Sequence, residues 1–326
     1  MRSVVKIFLI VLFITSLSLE GCIHDYPHGT GKIPATSYID MEITYNLIWD
    51  RRNHFIDLQT KAQSERPHHF VMEAMKDGKV VCRDELSLSE TEFSFGKFTH
   101  TFSKALSNDV HQFAVWYEME DENGKRSFAY DDLKGIHLQT TSIKNSEFMN
   151  SGFVNRTLDI NDYITSGESI QMNLQHAGAR FEIVSTDVQQ FISEHKNALN
   201  QGDTFNLQVI ISDTAPTSLN AYESTTFFNG NSQILSGDLF FPFAEYEELK
   251  IAEGFVFSND ESYLTMKIIV YNGAKAIVTQ TPLFSFPVKT GRITTVRADF
   301  LSFPIDGSLG VDNIWDGDIE IDLDND

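Results

Sequence analysis

The sequence predicts a mainly β protein, built as two successive antiparallel β-sandwich domains with one or two short helices. Apolar and polar residues alternate from 39 to 47, which is the period of a half-buried strand. Two dipeptides, Asp77-Gly78 and Asn272-Gly273, lie between apolar runs and are typical of tight hairpin turns. The length of 326 residues fits two domains, since a domain commonly takes about 150 residues.

The first predicted domain spans residues 36–165. Its opening strand carries the alternating pattern of residues 39–47. A second strand over 70–75 enters the turn at Asp77-Gly78, because Asp and Gly tolerate the positive φ angles of a type I′ turn. Residues 113–117 predict another strand, and the turn at 122–125 directs the chain towards a further aromatic segment. These elements indicate antiparallel β structure.

The second predicted domain spans residues 166–326 and follows a polar Thr-Ser-Gly-Glu stretch. A helix is expected after Thr186 or Asp187, because Val188 and Phe191 then recur at helical spacing. The other segments have strand character: 170–174, 181–184, 205–211, 239–241, 253–257, 264–270, 276–278 and the C-terminal run from Ile319 through Ile321 to Leu323.

Residues 1–21 predict a secretory signal, and residues 22–35 a flexible tether. The apolar core of this signal is too short to span a bilayer of about 30 Å. The run Leu19-Glu20-Gly21-Cys22 resembles the lipobox of bacterial lipoproteins, although Glu20 stands where a small uncharged residue is usual. That resemblance implies cleavage between Gly21 and Cys22 and a covalent lipid on Cys22. An ordinary secreted protein that begins near Cys22 is the alternative.

Charge and cysteine content restrict the partners. With 25 basic and 46 acidic residues the net charge is −21, and polybasic patches are missing, so nucleic acid is excluded as a partner. Membrane attachment is expected to come from lipid. If Cys22 carries lipid, Cys82 has no disulfide partner and is expected to be a buried, unreactive thiol. No cofactor is expected beyond the lipid.

The sequence contains no recognisable catalytic or metal-binding motif, so we expect no enzymatic activity and no metal. His68 and His69 would point to opposite faces of a strand, and we interpret them as a surface pair. The acidic stretch 312–326 has oxygens that suit calcium, but a solvated strand face is favoured. The three tryptophans are the candidates for glycan stacking, with a core role favoured: Trp49, Trp116 and Trp315.

Several segments resemble the fimbrillin and fimbrial-anchor superfamily of Bacteroidetes lipoproteins. The resemblance begins at the lipobox and includes Ala179-Arg180-Phe181-Glu182, which resembles the family's opening of its second domain. Just before it, His176-Ala177 replaces the family's usual Arg-Pro pair. Further segments recur in the expected order: 113–117, 130–133, 255–257, 272–273, 286–289, 294–301 and 315–321.

That resemblance implies two transthyretin-like sandwiches and a lipid-anchored structural subunit or anchor of a fimbria-like (type V pilus) assembly. The implied location is the outer membrane at the cell surface, and adhesion is the implied purpose. Its implied partners are the membrane, through the lipid, and other pilin-like subunits, through β-strand addition. A host or bacterial surface ligand is a further partner. The alternative function is a monomeric surface lipoprotein that binds glycans through exposed aromatic side chains.

Two segments are candidates for assembly chemistry. Arg51 and Arg52 form the one Arg-Arg pair of the sequence, and the resemblance implies that proteolysis at an arginine in the first domain releases a blocking strand. A solvated turn is the alternative reading of this pair. In the C-terminal strand, Ile319, Ile321 and Leu323 would either enter the groove of a neighbouring subunit or pair within their own domain, which is favoured.

Overall fold

The computed structural model of the protein describes residues 35–47, 67–120, 124–139, 150–212, 215–228, 232–239, 241, 247–258, 261–273, 276–303 and 320–322. The described residues from Thr36 onward form one compact unit. They are mainly β, with antiparallel sheets stacked in a sandwich-like manner, so the predicted fold class is confirmed. The described part has four helices rather than one or two: α1 (Glu90–Phe93), α2 (Ile160–Ser166), α3 (Val188–Glu194) and α4 (Lys196–Asn200).

The strands fall into an N-terminal half (residues 35–176) and a C-terminal half (residues 177–322). The first half contains β1 (Thr36–Ser37), β2 (Asp40–Thr44), β3 (His68–Lys76), β4 (Lys79–Leu88), β5 (Lys97–Thr101), β6 (Leu106–Ser107), β7 (Val110–Met119), β8 (Phe128–Ala129), β9 (Ile136–Leu138), β10 (Ser151–Asp159), β11 (Ile170–Asn173) and β12 (Gln175–His176). The second half contains β13 (Gly178–Ser185), β14 (Phe205–Ile211), β15 (Ser218–Asn220), β16 (Thr225–Phe227), β17 (Gln233–Leu239), β18 (Leu249–Phe257), β19 (Glu261–Asn272), β20 (Ala276–Gln280), β21 (Phe284–Lys289), β22 (Ile293–Ala298) and β23 (Glu320–Asp322).

The N-terminal half contains a sandwich of two larger sheets. One has the strand order β12-β10-β7-β3-β4 and the other the order β11-β2-β5. Their shared core includes Ile43 from β2, Phe70 from β3 and Tyr117 from β7, each 4 % exposed or less. The strand β11 pairs in parallel with β2, so residues 170–173 belong to this sheet. The predicted division into domains between residues 165 and 166 stays a prediction.

The predicted hairpin between β3 and β4 is confirmed. The two strands pair in an antiparallel register, and Asp77 and Gly78 have φ angles of 49° and 74°. Two consecutive positive φ angles are the signature of a type I′ turn, whose twist matches that of the flanking strands. Cys82 on β4 is buried, and burial raises the pKa of its thiol, as expected for an unreactive cysteine.

The C-terminal half contains a second sandwich. One sheet has the strand order β18-β13-β22-β23, and the other has the order β17-β14-β19-β20, with β21 also paired to β19. The core between them includes Phe181 from β13, Leu207 from β14 and Val296 from β22. The predicted hairpin at Asn272-Gly273 connects β19 to β20, where Gly273 has a φ of 56°. Of the strand predicted at 239–241, Leu239 lies in β17, residue 240 lies outside the described residues, and residue 241 is not part of a strand.

A further sheet is built from both halves and covers the outer face of β3 and β7. This composite sheet has the order β16-β15-β9-β8, so β15 from the C-terminal half pairs with β9 from the N-terminal half. A third apolar cluster lies beneath it and includes Trp116 from β7, Phe128 from β8 and Phe257 from β18. The strands β3 and β7 are therefore buried on both faces.

Double burial changes the role of the two histidines. His68 and His69 contact opposite sides of the sheet as predicted, but both are only 3 % exposed, so the expected surface pair is wrong. His68 Nδ1 lies 2.9 Å from the Tyr117 hydroxyl, whereas His69 Nδ1 lies 3.2 Å from Ser87 Oγ on the other face. Burial lowers the pKa of His69 to about 4, so its ring is neutral at pH 7.

Glu118 is a fully buried carboxyl group on the same face as His69, which is its cross-strand neighbour. One oxygen accepts a 2.6 Å hydrogen bond from the Tyr130 hydroxyl, while Oε2 has no hydrogen-bond partner. Burial raises the pKa of Glu118 to about 7, against the opposing effects of Tyr130 and the positive charge of Arg126. The nearby Trp116 indole also favours the ionised form, but without the geometry of a hydrogen bond.

We predict that Glu118→Gln stabilises the protein at pH 8 and has little effect at pH 5. The folded protein retains the Glu118 proton up to a pH of about 7, whereas the unfolded chain releases it near 4.5. Stability is therefore lost as the pH rises through this range, and a neutral amide removes a penalty of about 3 kcal/mol at pH 8. Urea unfolding at both pH values measures the difference. Glu120→Gln is the matched control, and an equal effect of the two substitutions at pH 8 would contradict the assignment.

We predict that Gly178→Ala is strongly destabilising. A β carbon at Gly178 would overlap the backbone carbonyl of Val256 on the paired strand β18, and a backbone group cannot turn away as a side chain can. The expected cost is about 3 kcal/mol or more, measured by chemical unfolding. Gly135→Ala is the control, because the nearest atom to its added carbon is His137 Nε2 at 3.4 Å. Equal losses for the two variants would exclude this explanation.

Candidate functional site

The candidate site is the edge of the second sandwich where the C-terminal strand pairs. The strand β23 joins β22 in an antiparallel register through three residue pairs, one of which is Val296 with Ile321. In contrast, β22 pairs in parallel with β13 through six residue pairs. Within the described residues β23 is the terminal strand of its sheet. Within the described residues β22 therefore has three pairs with the last strand and six with β13.

The strand β22 is fixed at its beginning by a tight turn. Gly291 has a φ of 76°, a conformation that favours glycine, and its N–H donates to the Gly178 carbonyl at 2.9 Å. The Arg292 carbonyl then accepts from the Arg180 N–H at 3.0 Å, which starts the parallel register. The side chain of Thr294 adds a 3.1 Å bond to the Pro287 carbonyl. These contacts define where the pairing edge begins.

The end of β22 is fixed by the carboxylate of Asp187. Asp187 occupies the N-cap position of α3, as predicted, but its side chain makes no capping hydrogen bond. It accepts instead from the Ser185 hydroxyl and from the backbone N–H groups of Leu301 and Ser302, with a 3.0 Å bond to Leu301. Ser185 Oγ in turn accepts from the Phe300 N–H at 3.2 Å.

Two threonines complete this anchor. The Thr279 hydroxyl donates to the Leu301 carbonyl at 2.6 Å, and the Thr186 hydroxyl donates to the Asp299 carboxylate at 2.6 Å. Phe300 and Leu301 are themselves fully buried in the second core. The chain is therefore held firmly as it leaves β22, before the segment that leads to β23. No sequence motif marks Asp187 for this role, since its position next to a helix suggested only a cap.

The structure describes few of the predicted site residues. Ile321 lies in β23, and its proposed part in strand exchange stays a prediction. Trp116 is fully buried, which confirms the favoured core role for this tryptophan. The other predicted site and stacking residues lie outside the described residues: Gly21, Cys22, Trp49, Arg51, Arg52, Trp315, Ile319 and Leu323.

Metal binding and membrane insertion each depend on a recognisable arrangement of residues. The described ranges hold no group of three or more His, Cys, Asp or Glu side chains placed to bind a metal ion. None of the helices in the described part has the length and apolar character needed to span a bilayer. The side chains that fix the two ends of β22 are hydrogen-bonding and apolar groups that position the backbone, and Arg297 within the strand lies 3.9 Å from the Glu248 carboxylate.

Fold and edge together define a sandwich-like β protein with a short terminal strand at one sheet edge. The chain belongs to a family of unknown function (DUF6562), which matches residues 36–325. No curated protein matches the chain.

Several solved structures are similar to this chain at low sequence identity. A candidate cell adhesion protein from Parabacteroides distasonis has 11 % identity and a TM-score of 0.45, with 88 % of this chain and 97 % of that chain covered. A candidate cell adhesion protein from Bacteroides uniformis has 8 % identity and a TM-score of 0.40, with coverage of 80 % and 93 %. A fimbrial assembly protein from Parabacteroides distasonis has 10 % identity and a TM-score of 0.35, with coverage of 81 % and 91 %.

We predict that Asp187→Ala lowers the free energy of unfolding by about 2 to 4 kcal/mol, because the buried Leu301 N–H, the half-buried Ser302 N–H and the Ser185 hydroxyl lose their common acceptor. Urea denaturation of the purified protein measures this loss. Asp299→Ala is the control, since Asp299 is exposed and accepts only from Thr186 in the described structure. A loss of stability for Asp187→Ala no greater than that for Asp299→Ala would show that the hydrogen bonds of Asp187 do not stabilise the end of β22.

Proposed function

We propose that the protein is a non-enzymatic, lipid-anchored structural subunit or anchor of a fimbria-like assembly on the bacterial surface, with adhesion as its purpose. Its subunit partners are pilin-like proteins that join it by β-strand addition. The observation that carries this proposal is the edge at β22, where β23 is the terminal strand of the sheet within the described residues and pairs in an antiparallel register. The fimbrillin-like sequence segments and the lipobox-like run that ends at Cys22 supply the biological context.

The physical argument rests on the row of main-chain groups along β22. An edge strand offers unpaired N–H and C=O groups to any extended segment of suitable side-chain pattern. The strand β22 pairs with β13 over six residues, and within the described residues β23 pairs with three of these six. A strand from another subunit that took the place of β23 would pair with the same main-chain groups of β22.

Arg51 and Arg52 supply the second part of the proposal. Cleavage there would separate the lipid on Cys22 and the residues 39–47 from the rest of the chain. In the structure, β2 lies within that segment and pairs with both β5 and β11. Removal of β2 would take Met41 and Ile43 out of the first core, expose residues that share this core, such as Phe70, and leave a groove between β5 and β11. A stalk subunit would be cleaved in this way, while an anchor would keep its lipid.

We predict that trypsin converts the mature wild-type protein into oligomers and that this depends on Arg51 and Arg52. Light scattering and denaturing gels would follow the mature protein before and after limited digestion. Because trypsin also cleaves after Lys61, both proteins that are compared carry Lys61→Ala/Arg66→Ala. This background should assemble normally, whereas the addition of Arg51→Ala/Arg52→Ala should keep the protein monomeric. A chain that ends at residue 318 should stay folded but fail to assemble. A monomer under all of these conditions that binds a glycan array would overturn the proposal in favour of a glycan-binding lipoprotein.

The lipid anchor is tested separately with the two cysteines of the chain. Expression of the full precursor in a Bacteroidetes host with labelled palmitate should label the wild type and the Cys82→Ala variant. Cys22→Ala should lose both the label and its flotation with membranes. Labelling that persists in Cys22→Ala would exclude this site of lipidation.

A further inference from the structure

The buried carboxylate of Glu73 joins both halves of the protein. Glu73 lies on β3 and is 0 % exposed, beneath the composite sheet. Its Oε1 accepts a 2.8 Å bond from Arg83 Nη1 on β4. Its Oε2 accepts from the Leu133 N–H at 3.0 Å and from the Tyr222 hydroxyl at 3.1 Å. Leu133 precedes β9 of the N-terminal half, whereas Tyr222 lies between β15 and β16 of the C-terminal half.

The groups that Glu73 holds are also bonded to each other. The Ala221 N–H donates to the Leu133 carbonyl at 2.8 Å, so the two segments meet directly beside the carboxylate. Asn155 on β10 donates from Nδ2 to the Ala221 carbonyl at 2.6 Å and to Ser224 Oγ at 2.8 Å. The segment 221–224 is thus attached to the first sandwich from two sides, by Glu73 and by Asn155.

The partners of Glu73 are needed because a buried carboxylate is costly to desolvate. Burial raises the pKa of Glu73, while the Leu133 N–H, Arg83 and the Tyr222 hydroxyl favour the ionised form. Each donor therefore offsets part of the desolvation free energy of the Glu73 carboxylate. Removal of this carboxylate leaves all three donors without their acceptor. Leu133 is fully buried and Tyr222 is 6 % exposed, so water has little access to replace the carboxylate.

We propose that Glu73 stabilises the composite sheet as one cooperative unit, so that residues 128–138 and 218–227 unfold locally together and couple the two halves. We call Glu73 and its three donors the Glu73 clamp. Arg83 strengthens this clamp, because it also donates to the Asp131 carbonyl in the connection between β8 and β9. The clamp is separate from the edge at β22 and does not depend on the proposed assembly function.

Hydrogen exchange measured by mass spectrometry on the full mature chain tests the clamp. In Glu73→Gln the side-chain NH2 group would face N–H and O–H donors that bond the carboxylate in the wild type. In Tyr222→Phe the hydroxyl that joins the two halves is lost. Both variants should exchange about 10- to 100-fold faster than the wild type in 128–138 and in 218–227, by similar factors. The strands β14 and β19 of the second sandwich should keep their wild-type exchange rates.

Tyr271→Phe is the matched control, because the Tyr271 hydroxyl bonds Gln208 Oε1 at 3.2 Å on the second sandwich, away from the composite sheet. It should leave the exchange of 128–138 and 218–227 unchanged. Faster exchange in only one of these segments, or equal acceleration in Tyr271→Phe, would overturn the proposal. If Glu73→Gln fails to fold, the more conservative Tyr222→Phe variant decides the outcome.

Discussion

The burial of β3 and β7 on both faces is the constraint on which the rest of the structure depends. Alternate residues of these strands enter two different cores, as with Phe70 in the first sandwich and Val71 in the cluster beneath the composite sheet. An antiparallel sheet can leave one face in water, but this one is covered by strands from both halves. Polar side chains on the covered face are shielded from water, which explains why Glu73 is surrounded by donors and why His69 is neutral.

The features that depend on neighbouring residues could be predicted from the sequence. The turn at Asp77-Gly78 requires positive φ angles that these residues tolerate, and the alternating pattern of 39–47 matches the burial of Met41 and Ile43. The helix α3 follows from helical spacing and also begins where expected. In each case the determining interactions lie within about ten residues of chain, so local pattern is sufficient.

The composite sheet could not be predicted in this way, because its pairing joins segments that are distant in the sequence. Ser218 pairs with His137, and neither segment has a pattern that identifies the other. On β3 the polar residues His69 and Glu73 alternate with apolar ones, a pattern that is typical of a solvated face. The tertiary arrangement covers that face, and this burial is the physical reason why the surface interpretation of the histidines is wrong. The helices α1, α2 and α4 are not among the predicted elements. The first and last span four and five residues, too few for a periodic pattern, whereas α2 carries Ile160, Tyr163 and Ile164 at helical spacing, a signal that could have identified it.

The two edge strands of the sheet β18-β13-β22-β23 differ in their packing. On β18, Val256 packs into the second sandwich, whereas Phe255 and Phe257 enter the cluster beneath the composite sheet. This edge strand is nine residues long and is therefore held on both faces. At the opposite edge, β23 joins β22 through three residue pairs within the described residues. Since main-chain pairing with a new strand requires an accessible edge, the strand addition that we propose at β22 would require β23 to leave.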